Sequence, residues 1–182
     1  MKLKQTRIDN KCKKYRPEQE YTHTQEFLDN LPYIMMIILG SLILFFSIQL
    51  PYWNLLAGIL FIIYGVLGTV WFIIFICPYC HFYGTRSCPC GYGQIATKIK
   101  PKAKIEQFNE KFKKHIPVIF PLWILPLLVG AISIIYTFSS LILILIILFI
   151  IDAFIVLPLI SRKYGCAHCP QKDNCPWMVS GK

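Results

Sequence analysis

The sequence predicts an all-α integral membrane protein: a four-helix transmembrane bundle of two parallel hairpins, with cytoplasmic cysteine-rich loops. Three observations carry that expectation. Apolar residues make up 55% of the 182-residue chain and charged residues only 15%, a balance foreign to soluble domains. The apolar residues are gathered into four blocks, 32–50, 54–76, 117–136 and 141–160, whose only formally charged member is Asp152. All 19 Lys and Arg residues lie outside those blocks.

Each block matches the roughly 20 residues that an α-helix needs to cross about 30 Å of hydrocarbon. The positive charges then orient the bundle. With four crossings, residues 1–31, 77–116 and 161–182 share one side of the membrane, and the opposite side has only two short uncharged links. The positive-inside rule makes the basic side cytoplasmic, so both termini are expected inside the cell membrane. The net charge of +10 is accounted for by topology, and no nucleic-acid partner is implied.

Residues 1–31 are polar, basic in their first half and acidic in their second. The polar stretch is too long for the n-region of a signal peptide, and the apolar run after it too long for an h-region. Its lysines suit anionic lipid headgroups, and Thr22 to Leu31 are expected to form a short helix leading into the first span. Cys12 stands alone in this segment.

Residues 32–76 read as the first hairpin, turning at Pro51 with Tyr52 and Trp53 at the interface. Gly58 and Gly65 share one face of the second span, with Gly68 nearby, which suits close approach of a neighbouring helix. Residues 77–116 form the long loop. Its second half places Ile105, Phe108, Phe112 and Ile116 at spacings of three and four among Lys104, Lys111, Lys113 and Lys114. That pattern predicts an amphipathic helix over 98–115 in the membrane surface, its lysines on headgroup phosphates. Residues 117–160 read as the second hairpin, with a kink expected from Pro121 and Pro126 inside the third span. Residues 161–182 form a second cysteine-rich segment.

The chemistry is concentrated in the cysteines. Cys77-Pro-Tyr-Cys80 and Cys88-Pro-Cys90-Gly place four thiols within fourteen residues directly after the second span. Cys166-Ala-His-Cys169 and Cys175-Pro follow the fourth span in the same way. In a reducing compartment clustered thiols read as metal ligands or reactive thiols before disulfides. Four soft thiolates suit zinc in tetrahedral geometry, the leading expectation, or an iron–sulfur cluster, the alternative. The second group has three sulfurs and needs another ligand, for which His81, His168 and Cys12 are candidates.

Asp152 is costly at its depth in the fourth span, so it should face the bundle interior, level with Ser41 and Thr69, either satisfied there or relaying protons. No Ser-His-Asp set, phosphate loop or pair of catalytic carboxylates emerges. Two function classes follow. One is a non-enzymatic membrane component whose metal-stabilised cap docks a protein partner. The other is a membrane electron-transfer or thiol-redox protein.

Overall fold

A computed structural model of the chain describes residues 20–166 and Cys169, with only the backbone for residues 164–166. The described residues form helices, and four of these segments are long and apolar enough to cross a membrane. The first is α1 (His23–Ser47). Thr22 caps it: its hydroxyl accepts the Gln25 amide N–H while the Gln25 side chain accepts the Thr22 N–H, satisfying two donors that every helix start leaves open.

The helix expected over 22–31 and the first span are one continuous element, with Pro32 inside it. A proline interrupts a single rung of the ladder, and burial of Pro32, Met36, Ile37 and Leu39 against the neighbouring helices holds the rest together. The link to α2 (Trp53–Phe75) turns at Pro51 and Tyr52. Tyr52 adopts φ +68°, a left-handed conformation that the short link forces on a non-glycine residue.

The first span is the hub of the bundle and packs against each of the other three. Its approach to α2 is close because α2 presents glycines. Ser41 Oγ donates to the Gly58 carbonyl at 3.0 Å and Tyr33 Oη to the Gly65 carbonyl at 3.0 Å. A side chain at Gly65 would collide with Ile37, and one at Gly58 would crowd Ser41. The glycine face read in the sequence is therefore the contact face with α1.

After α2, a 3-10 turn (Cys77–Tyr79) opens the cysteine-rich loop, and a six-residue helix that the sequence pattern did not announce, α3 (Tyr92–Thr97), closes it. The amphipathic helix is shorter than expected. It comprises a 3-10 turn at Ile105–Gln107 and α4 (Phe108–His115). Residues 101–104 are irregular, because Pro101 disfavours helical backbone at Lys100.

The third span begins with a 3-10 turn (Ile116–Ile119) and continues as α5 (Pro121–Tyr136). Pro121 occupies the first turn, where its missing N–H has no partner to lose, so only Pro126 is interior. Tyr64 of α2 donates to the Val118 carbonyl and ties this entry to the second span. The fourth span is α6 (Ser140–Ile151), a π turn (Asp152–Val156), α7 (Leu157–Ile160) and a second π turn (Ser161–Cys166). The Leu157 N–H reaches back to the Asp152 carbonyl directly before Pro158, which has no N–H to offer.

The interior is apolar, with Met36, Ile43, Leu122 and Phe149 fully buried between the spans. The outer surface is apolar too: Val66, Leu67, Leu128 and Ile144 are more than half exposed, as suits helices facing lipid.

Candidate functional site

The loop after α2 is built from two related turns. Cys77 is followed by Pro78, and the Cys80 N–H bonds the Cys77 carbonyl at 3.0 Å. Cys88 is followed by Pro89, and the Gly91 N–H bonds the Cys88 carbonyl at 3.1 Å. The Gly84 N–H to the Gly93 carbonyl, 3.0 Å, joins the segments. Gly91 has φ +73°, the left-handed turn that a residue without Cβ adopts freely. At Gly93 a Cβ would lie 2.5 Å from the Phe82 carbonyl oxygen, so only glycine fits.

These glycines serve one sulfur. Cys88 Sγ accepts the Gly93 N–H at 3.3 Å, and the neighbouring amides of Cys90 and Gly91 lie close enough to favour its thiolate. Successive N–H groups turned onto one atom form a nest that favours negative charge. Burial pushes the Cys88 thiol up, while the three amides oppose that rise by stabilising its thiolate.

Cys77, Cys80, Cys88, Cys90 and, from the tail, Cys169 all line one cavity of about 320 Å³ at the loop end of the bundle. The Cys77 thiol lies within electrostatic reach of the other three loop thiols. Cys77, Cys80, Cys88, Cys90 and Cys169 are not joined to one another by disulfides. Among the described residues no three His, Cys, Asp or Glu side chains are already gathered around a point that could hold a metal ion. The thiols share a space without converging on a centre within it.

The supplementary candidates fall differently. His81 is half-buried beside Cys80, and burial together with Lys102 lowers its imidazole below the ordinary value. Cys166 is placed by its backbone alone, in the π turn that ends the fourth span. Cys12, His168 and Cys175 lie outside the described residues.

The intramembrane polar residues are split. Ser41 and Thr69 spend their hydroxyls on the Gly58 and Gly65 carbonyls, at 3.0 and 3.3 Å. Asp152 Oδ2 is buried and has no hydrogen-bond partner among the described residues. Thr69 lines the cysteine cavity and Asp152 does not.

Several polar residues of the cavity, Asp29, Asn30, Tyr33 and Tyr92 among them, were not singled out by sequence. Tyr33 and Tyr92 lie beside Thr69, and Tyr33 Oη shares the Gly65 carbonyl with the Thr69 hydroxyl. Asn30 Nδ2 donates to the Cys90 carbonyl at 3.1 Å and to the Glu26 carbonyl at 2.7 Å. Asp29 also lines the cavity, with Oδ2 buried and without a partner among the described residues. The available signal was Asp29, Asn30 and Tyr33 falling on adjoining helical positions at the mouth of the first span.

The amphipathic helix faces inward. Phe112 is buried edge-on to Phe72, with ring centres 6.1 Å apart, and His115 stacks on Phe75 at 4.9 Å. Its apolar stripe covers α2 and the cavity. Lys100 lies over the Phe75 ring at 4.8 Å and Lys111 over Tyr79 at 5.8 Å. Comparison of the chain with family models, curated proteins and solved structures returned no match.

Proposed function

We propose that this chain is a multi-pass membrane protein whose loop cysteines hold a soft metal ion at the cytoplasmic end of the bundle. Zinc is the leading candidate, and the metal-stabilised cap serves as a docking element for a protein partner. The supporting observation is the Cys88 nest in a cavity shared by four loop cysteines and Cys169. An amide N–H bonded to a neutral thiol gains little; bonded to a metal thiolate, with the Cys90 and Gly91 amides close by, it stabilises the charge. The ion draws in sulfurs that already share one space, and its binding energy orders a loop with little core of its own. Lys98, Lys102, Lys104, Lys113 and Lys114 supply charge for anionic headgroups around the cap.

A second reading is an electron-transfer or thiol-redox protein with an iron–sulfur cluster or reactive cysteine pairs. The continuity of the thiols with an aromatic cavity among the spans favours it. Anaerobic purification of the full-length protein, with elemental analysis and a visible spectrum, separates the two. Zinc without visible absorption supports the structural centre. Iron with acid-labile sulfide and a broad visible band supports electron transfer. Metal-free protein with titrating disulfides leaves only thiol chemistry.

A further inference from the structure

The cavity beneath the cysteines has the properties of a small-molecule site in its own right. Its volume of about 320 Å³ matches the lower end of the range typical of ligand pockets, about 300–1,000 Å³. It lies where α1, α2, α4, the start of the third span and the end of the fourth meet, at the edge of the apolar layer. A bare metal ion in a thiolate shell, with bonds of about 2.3 Å, fills little of such a volume.

Its lining specifies what fits. Seven of the 22 lining residues are aromatic, among them Tyr33, Phe72, Phe108, Phe112 and Trp123, against four Ile or Leu. Rings arranged around a void offer stacked and edge-on contacts to another ring, whereas a lipid acyl chain is matched better by aliphatic walls. One buried acceptor in the wall, Asp29 Oδ2, has no donor among the described residues. A buried acceptor without a donor is costly, and a ligand O–H would remove that cost. The neighbouring Tyr33 and Thr69 hydroxyls both donate to the Gly65 carbonyl, whereas Asp29 Oδ2 has no donor among the described residues.

We propose that this cavity binds a membrane-soluble amphiphile with a hydroxyl-bearing aromatic ring, of the phenol or hydroquinone class, whose O–H donates to Asp29. The proposal stands on the cavity and holds whether or not the thiols take a metal. The test uses full-length protein in lipid nanodiscs under anaerobic conditions, with trimethylhydroquinone and its dimethyl ether as probes and protein-free nanodiscs as the partition blank. Saturable binding of the hydroquinone at one per chain is expected, with the ether at least tenfold weaker because it cannot donate. Asp29→Leu should weaken hydroquinone binding at least tenfold, and Leu157→Trp, which fills the cavity, should abolish it. Absence of saturable binding, or equal binding of hydroquinone and ether to the unmodified protein, overturns the proposal without reference to any variant. Displacement of the probe by an equal concentration of oleate would assign the cavity to an acyl chain and overturn it likewise.

Discussion

Asn30 of the first span donates from Nδ2 to the backbone carbonyl of Cys90, 3.1 Å away and 60 residues further along the chain. That bond fastens the cysteine-rich loop to the helix around which the bundle is packed, and the Tyr21 N–H to the Arg86 carbonyl, 3.0 Å, adds a second attachment just before that helix begins. Asn30→Ala should destabilise the loop by about 1 kcal/mol, the usual net value of such a bond. Amide exchange over residues 88–93 should rise roughly fivefold while exchange within α2 stays unchanged. Equal exchange in the two proteins would show that the loop does not depend on this attachment.

Gly93→Ala probes the nest. The added methyl meets the Phe82 carbonyl oxygen at 2.5 Å, a backbone atom that cannot rotate away, so Gly93 must shift and withdraw its N–H from Cys88 Sγ. A cost of about 1–3 kcal/mol is expected, as for other overpacked sites. Metal retention should fall, and Cys88, released from the metal, should be alkylated faster. Unchanged alkylation and metal content would remove the nest from the account.

Within the spans the hydroxyl bonds should be worth less than their geometry suggests. Tyr33→Phe and Ser41→Ala each delete one bond to a glycine carbonyl. Hydrogen bonds between membrane helices average about 0.6 kcal/mol, because the helices of the unfolded state also find partners. The two acceptors are seven residues apart, roughly 10 Å along the helix, so the double variant should be additive within about 0.5 kcal/mol. Equilibrium unfolding in mixed micelles measures both, and a loss above 2 kcal/mol from either would mean that these bonds hold the hairpin together.

The side on which the thiols lie is tested separately. In intact cells an impermeant maleimide should leave Cys80 and Cys90 unlabelled, and permeabilisation should expose them. Labelling before permeabilisation would reverse the orientation and, with it, the expectation of reduced thiols.

The parts of this protein that are legible in its sequence are those set by composition. A stretch of some 20 apolar residues has few places to go except a membrane, so all four spans could be placed, and the glycine face of α2 followed from helical spacing. Features set by single backbone atoms were hidden. Continuity through Pro32 depends on flanking burial, the π turn at Asp152 on one carbonyl beside Pro158, and the Cys88 nest on the left-handed turn at Gly91. The cavity was hidden for another reason. Asp29, Thr69, Phe108 and Leu157 come from four separate segments, and no local pattern announces that they share a wall.

The account rests on the loop thiols acting together on one metal, and the most direct test is the metal-to-protein ratio of anaerobically purified full-length protein beside its Cys80→Ser variant. A near-integral content of zinc or iron in the unmodified protein, lost in the variant while the spans stay folded, is the predicted result. A metal-free unmodified protein, or a Cys80→Ser variant that keeps its full complement, would contradict it.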